Sequence, residues 1–342
     1  MDQLVRAGAL RNYLEITKQL GLNPLPILRA VGLSRAMLDE PERQIPLAAV
    51  VRLLEISAAD SGCITLGLRM AESRQLAHLG AVSLLLTHQR TLRDALNTTI
   101  QYRHLLNESL ALQFEAIGRN VIIREELVTG TGEPSRQCME LAIGVLARAC
   151  RAFLGTHWHP VTVNFTHGAP DDLQVHRRLF HCRIVFNSSF NGIVCDAASL
   201  EAPNPIADPI MCSYAEQFMH SLESTHVDSI VLDVRRAIYL LLPVGRATVE
   251  QIAQGLGLHP RSLQLRLAES DAKFSDLLNV IRRELVTRYI DNPNYSLQQV
   301  GEMLGYGIPT SFARWFTSEF GLPPRRWRKD RKAESSRKIL RL

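Results

Sequence analysis

The chain has 342 residues, 46% hydrophobic and 21% charged, with 39 Lys and Arg against 34 Asp and Glu for a net charge of +5. That length fits two domains better than one, and the apolar content excludes a globally disordered chain. No apolar run approaches the ~18 residues of a membrane span, the start lacks a signal-peptide core, and six cysteines (Cys63, Cys138, Cys150, Cys182, Cys195, Cys212) form no C-x-x-C pair, so reduced thiols in a cytoplasmic protein are expected.

From the N-terminus to about residue 106 the apolar spacing is helical. Leu47, Val50, Val51, Leu54 and Ile56 recur at helical intervals, as do Leu92, Leu96, Ile100 and Leu105. Two alternating runs, "SLALQFEAI" and "NVIIREELV", read as a hairpin turned at Gly118-Arg119. An apolar helix ("QCMELAIGVLARACRAFLG"), a strand ("VTVNF"), a short helix and a strand pair around "RIVFNSSFNGIVC" follow. This predicts an α+β domain over residues 1–200. The three prolines of "EAPNPIADP" mark the start of a linker and connecting helix, 201–227.

Beyond that point the pattern is helical to the end. Val227, Ile230, Val231, Val234, Ile238 and Leu241 share helical spacing before Pro243 and Gly245. "TVEQIAQGLGLHPRSLQLRL" and "SLQQVGEMLGYGIPTSFARWF" then repeat one design about 48 residues apart. Each opens with an N-cap pattern, Thr248 with Gln251 and Ser296 with Gln299. Each continues through Ile252 or Val300 to a Leu-Gly turn, Leu256-Gly257 or Leu304-Gly305, where glycine supplies a positive φ at little cost. Each then starts a second helix with an apolar i, i+4 pair, Leu263 and Leu267 or Phe312 and Phe316. Two helix-turn-helix motifs are therefore predicted, at 248–268 and 296–319. Phe274, Leu277, Leu278, Ile281 and Leu285 outline a long connecting helix closed by Asn292-Pro293. A rigid rod holding two reading heads ~34 Å apart would place them in successive major grooves of B-DNA.

The charge is concentrated where this repeat ends. From Phe320 to Leu342 nine Lys and Arg face two acidic residues, a net +7 that leaves −2 for residues 1–319. A basic segment on a near-neutral body points to a local anionic partner, nucleic acid or a membrane surface, the plain alternative being a solvated tail. Behind Phe312 and Phe316, Thr310, Ser311 and Arg314 fall on the opposite side of their helix. Arg314 is expected to donate two hydrogen bonds to guanine O6 and N7, with arginines from Arg325 onward on phosphates. Trp327 is expected to pack the closing turn.

Residues 228–331 resemble the DNA-binding domain of the AraC/XylS family of bacterial transcription regulators. The resemblance rests on the double motif, its spacing, and the block "LGY…SFARWFTSEFGLPPRRWR". It implies seven helices, with the second helix of each motif facing DNA. Carried over by position, the base-facing residues are Arg261, Ser262 and Gln264 in the first motif and Pro309, Thr310, Ser311 and Arg314 in the second. Arg266, Arg325, Arg326, Arg328 and Lys329 are the phosphate candidates, and 332–342 is a basic tail. Three positions depart from the family pattern. Leu265 stands where the first recognition helix usually has an Arg, so it can touch a thymine methyl but cannot read guanine. Gly307 replaces a common polar cap, and Gly301 takes an Ala position, where it permits close helix packing. Residues 1–200 are similar to one branch of the same family, the ornithine-utilisation type, through "LGLRM" (Leu66 to Met70), "HLGAV" and "HWHPVTVNFTH" (His157 to His167). That branch implies an arabinose-binding-like sensor of a small-molecule effector, a homodimer, double-stranded DNA as partner, and RNA polymerase where the regulator activates.

Other chemistry fits the residues less well. His157, His159 and His167 invite a metal reading, but no flanking carboxylate is spaced to complete it, so structural histidines and no metal are expected. His181-Cys182 would point to opposite faces of a strand. Serine-hydrolase, P-loop and dinucleotide-binding motifs are absent, as are the zinc and acceptor cysteines of regulatory alkylation-repair methyltransferases. No catalytic residue and no cofactor are therefore assigned. Tyr102, Phe114, Trp158, Phe165 and Phe186 are candidate pocket aromatics or ordinary core, and no effector-binding residue is named. The resulting reading is an effector-responsive DNA-binding regulator. The alternatives are a constitutive regulator whose N-terminal half only dimerises, and an enzyme domain fused to a DNA-binding module.

Overall fold

A computed structural model describes residues 3–129, 135–223 and 229–339. The last residues of the expected linker, 224–227, and the tail residues 340–342 lie outside them, as do the tail side chains from residue 332. The chain divides into two compact units, 1–228 and 229–342.

The first unit runs β1 (Leu4–Arg6), α1 (Tyr13–Gln19), α2 (Pro24–Ala30), α3 (Arg35–Leu38), β2 (Gln44–Pro46), α4 (Leu47–Ser61), α5 (Leu66–Glu72), α6 (Val82–Thr87) and α7 (Leu92–Gln101). It continues with β3 (Leu110–Ile117), β4 (Asn120–Leu127), α8 (Arg136–Leu154), β5 (Thr162–Asn164), α9 (Gln174–Phe180), β6 (Arg183–Val185), β7 (Gly192–Asp196), α10 (Ala198–Glu201) and α11 (Pro209–Glu223). It is an α+β domain. The first hundred residues are not wholly helical, because β1 and β2 pair antiparallel with Val5 opposite Ile45. Strands of three residues are too short for a period of two to show in sequence.

The five-stranded sheet has the order β3-β4-β7-β5-β6. β3 and β4 form the hairpin, turned at Gly118 with φ 62°. β6 and β7 are not partners: β5 lies between them, parallel to β6 and antiparallel to β7. The apolar helix α8 packs on α5 and crosses it closely. A Cβ on Gly67 would lie 2.1 Å from the carbonyl oxygen of Gln137, so only glycine fits there. Gln137 fixes the crossing: its Oε1 accepts from Gly67 N at 2.9 Å and its Nε2 donates to Ile64 O at 2.9 Å.

The proline-rich stretch expected to open a linker is instead stapled to this unit. Asn204 Nδ2 donates to the carbonyls of Thr87 and Gln89, both at 2.9 Å, and Pro203 bridges Thr91. Here proline fixes an extended path along the unit rather than marking free chain. α11 follows, burying Ala215 and Met219 and exposing Ile210, Met211, Tyr214 and Phe218. All six cysteines are unpaired, and Cys138, Cys150 and Cys195 are buried. Among the described residues no helix is long and apolar enough to cross a membrane.

The second unit has seven α-helices among its described residues: α12 (Ile230–Leu241), α13 (Val249–Gly255), α14 (Pro260–Glu269), α15 (Phe274–Ile290), α16 (Leu297–Met303), α17 (Pro309–Phe320) and α18 (Pro324–Ile339). α12 packs on α13, α14 and α15, and α16 packs on α15 and α17. The central helix α15 buries Ile281, Leu285, Val286, Tyr289 and Ile290, while Phe274, Leu277 and Leu278 at its start are half-buried. Arg235 of α12 pairs with Glu284 of α15 at 3.3 Å.

Candidate nucleic-acid interface

Each motif is built in the same steps. In the first, the Thr248 hydroxyl accepts from Gln251 N at 3.2 Å and starts α13. In the second, Ser296 and Gln299 complete a reciprocal box, with Gln299 Oε1 accepting from Ser296 N at 2.8 Å. Gly257 and Gly305 then turn the chain with φ 67° and 77°. These are left-handed values that a residue with a Cβ adopts at a cost.

α14 begins at Pro260, capped by His259 Nδ1, which accepts from Arg261 N at 3.3 Å. Leu263 and Leu267 are buried, which turns Arg261, Ser262, Gln264, Leu265 and Arg266 to solvent. Leu265 is 61% exposed. An apolar side chain so exposed on this face makes no contribution to the unit's own core.

α17 begins at Pro309 behind Ile308, which gives no side-chain cap. Its missing cap is offset in part by proline's preset φ in the first turn. Phe312 and Phe316 point inward, leaving Pro309, Thr310 and Arg314 exposed and Ser311 half-buried. Gly301 brings α16 against this helix, since a Cβ there would sit 3.2 Å from that of Phe312. Trp327 of α18 closes the cluster, 5.8 Å from the Phe316 ring and 5.3 Å from Phe320.

The phosphate candidates separate into two groups. Arg266, Arg325, Arg326 and Lys329 are exposed, and Arg326 makes a 3.9 Å solvent-facing pair with Asp330. Arg328 differs from the expectation. Its Nε donates to Ile290 O at 2.7 Å and its Nη1 to Tyr295 O at 2.9 Å. It therefore ties α18 to the end of α15 instead of facing outward. A helical reading of its neighbours finds this: Pro324, Trp327 and Arg328 fall on one side, and Pro324 is buried.

In the first unit the histidines are arranged otherwise than expected. His157 and His159 lie in the loop before β5, so they share no strand face. His181 caps α9 with a left-handed φ of 52° rather than lying on a strand. A carboxylate does meet His167, but from a distant element. Glu140 of α8 lies 3.2 Å from His167 Nε2, 3.4 Å from His176 Nε2 and 3.1 Å from Arg136 Nε. Burial alone raises the Glu140 pKa, yet the two imidazoles and the guanidinium bring it down to about 2. Among the described residues no group of three or more His, Cys, Asp and Glu is arranged to hold a metal. Phe165 and Phe186 stack around this cluster with ring centroids 5.9 Å apart. Trp158 donates to Ser199 Oγ at 3.2 Å, Tyr102 is buried, and Phe114 lies under Arg93. None of these five aromatics lines the largely aliphatic cavity walled by Leu47, Leu92, Leu96 and Leu146.

The family described as the arabinose-binding domain of AraC transcription regulator, N-terminal, matches residues 21–204, and a helix-turn-helix domain family matches residues 234–330. The HTH-type transcriptional regulator VirS of Mycobacterium tuberculosis is 30% identical over 333 residues, covering 96% of this chain and 97% of that protein. The ornithine utilization regulator of Pseudomonas aeruginosa is 20% identical over 327 residues, covering 95% and 96%. Among solved structures, the transcriptional regulator CdpR of Pseudomonas aeruginosa aligns over 91% of this chain and 98% of its own at 18% identity, with a TM-score of 0.41.

Proposed function

The chain belongs to the AraC family of transcription regulators, with an arabinose-binding-type N-terminal domain and a DNA-binding helix-turn-helix region, and from that premise we propose that it reads two successive major grooves and answers to a small-molecule effector. The observation that carries this reading is the pair of equivalent exposed faces on α14 and α17, each backed by a buried i, i+4 apolar pair. In the proposal Arg261, Ser262 and Gln264 face bases in one groove, and Pro309, Thr310, Ser311 and Arg314 face bases in the next. Arg314 is the strongest reader, because a guanidinium can donate twice to one guanine. Arg266, Arg325, Arg326 and Lys329 neutralise phosphates alongside.

The regulator acts as a homodimer through its first unit, and effector binding shifts that unit between states that present the DNA heads differently. Support for self-association comes from α11, where Ile210, Tyr214 and Phe218 recur every four residues and are 68%, 63% and 46% exposed. Such a stripe pairs with its own copy around a two-fold axis. We assign activation as the mode, with RNA polymerase as partner, in a cytoplasmic protein without catalytic activity. The test is selection of bound duplexes from a random pool. The reading expects an enriched site spanning two adjacent major grooves. Enrichment of no sequence, with binding that merely falls with salt, contradicts it.

A further inference from the structure

A cavity of about 180 Å³ lies inside the first unit, walled by Leu47, Leu92, Leu96, Leu127, Leu146 and Phe153 among others. Its lining residues Leu76, Leu79, Ala142 and Val145 are half-buried, so the cavity is not sealed from solvent. Size limits the occupant. An apolar cavity of roughly 150 Å³ holds benzene, so this one fits a single ring with a short substituent.

The lining also carries polar side chains, among them Glu125, Arg6, Arg74, His78, Thr99 and Asn107. Glu125 of β4 lines the cavity, is 5% exposed, and its Oε2 has no hydrogen-bond partner. Its neighbour Glu126, on the opposite face of the strand, has both oxygens on Asn191 at 3.0 Å. The cavity's arginines are largely engaged elsewhere. Arg6 pairs with Glu42, and Arg74 donates through both terminal nitrogens to the carbonyls of Gly8 and Ala9, leaving its Nε alone. Among the described residues no cation offsets a charge on Glu125. Burial, and secondarily the charge of Glu126, push its pKa up to about 8. The group is thus a buried acid that offers an O–H to whatever enters. A buried polar group left without a partner is costly, so a ligand that supplies the missing acceptor is favoured over one that does not.

We propose that this cavity is the effector site and that it takes an uncharged, mainly hydrocarbon molecule of single-ring size, with one oxygen accepting a hydrogen bond from Glu125. This inference rests on the effector-sensing reading above and names the site and the ligand class for it.

The test titrates the full-length protein with acetophenone, ethylbenzene, benzoate and 1-phenylethylamine, using ligand-detected NMR. Acetophenone is expected to bind about tenfold tighter than ethylbenzene, which matches its shape but lacks the oxygen. Glu125→Gln keeps that preference, because the amide N–H also donates. Glu125→Leu abolishes it while still binding ethylbenzene, which shows that the variant is folded. Tighter binding of benzoate or the amine, an unchanged preference in Glu125→Leu, or no binding of any probe each overturns the inference. Operator affinity measured in the same samples separates the two claims. The expected binding pattern with unmoved operator affinity keeps the site and removes its sensing role. An operator response to a metabolite extract without the pattern keeps sensing and removes this site.

Discussion

The guanidinium of Arg282, in the middle of the central helix α15, lies 4.4 Å from the ring centre of Tyr306, and its Nε donates to Leu304 O at 2.9 Å. Both interactions fall on the turn of the second motif, so one residue of the rod fixes where α17 starts. A cation over an aromatic ring contributes about 0.5–2 kcal/mol, and removing the hydrogen bond costs about 1 kcal/mol more. Arg282→Ala is expected to destabilise the DNA-binding unit by about 1–3 kcal/mol in urea unfolding. Unchanged unfolding would show that the turn is held by its glycine and core alone.

Arg314 and Leu265 occupy equivalent places in the two motifs but differ in chemistry. Arg314→Ala should lose about 1–3 kcal/mol of discrimination at one base pair. Leu265→Ala should lose less, and at a thymine if anywhere. Competition binding with single-base operator variants measures both. Equal losses would mean that the two heads read alike.

The basic residues of α18 should divide by role. Arg325→Gln and Lys329→Gln are each expected to lower the slope of log affinity against log salt by about 0.9, the value for one phosphate no longer neutralised. Arg328→Ala should leave the slope alone and lower the melting temperature, since it removes the donors that serve the carbonyls of Ile290 and Tyr295. A reduced slope in Arg328→Ala would place that side chain on phosphate after all.

Glu125 gives the first unit a signed pH dependence. Its folded pKa, about 8, is above the ordinary value of 4.5. The folded state therefore binds the proton more tightly, and its contribution to stability is fully present below about pH 4.5 and lost as pH rises through 8. Glu126 beside it in the strand adds to the shift, Arg74 and His78 line the same cavity, and the Cys150 thiol, pushed far up by burial, stays protonated throughout. Thermal unfolding from pH 5 to 9 should show wild type losing stability relative to Glu125→Gln. A constant difference between the two would contradict a neutral Glu125.

Much of the second unit was legible because its signals are local. Caps at Thr248 and Ser296, glycines at 257 and 305, and apolar pairs four apart each determine structure within a few residues. The first unit hid its features in long-range packing. Glu140 meets His167 and His176 only once α8 packs beside the sheet, and no spacing announces it. Pro203 and Asn204 looked like free linker because their partners, Thr91, Thr87 and Gln89, lie far back in the chain. Some signals were present but unread. Two consecutive glutamates in a strand face opposite sides of the sheet, so "REEL" put at least one carboxyl toward packed structure (both are buried), and helical spacing put Arg328 beside Trp327.

The central claim is two heads on two adjacent grooves, and methylation-protection footprinting on a selected site tests it most directly. Wild type should protect guanine N7 positions in two clusters one helical turn, about 10 base pairs, apart on one face. Arg314→Ala should lose protection in one cluster and keep the other. A single cluster for wild type, or loss of both clusters together in the variant, would contradict the account.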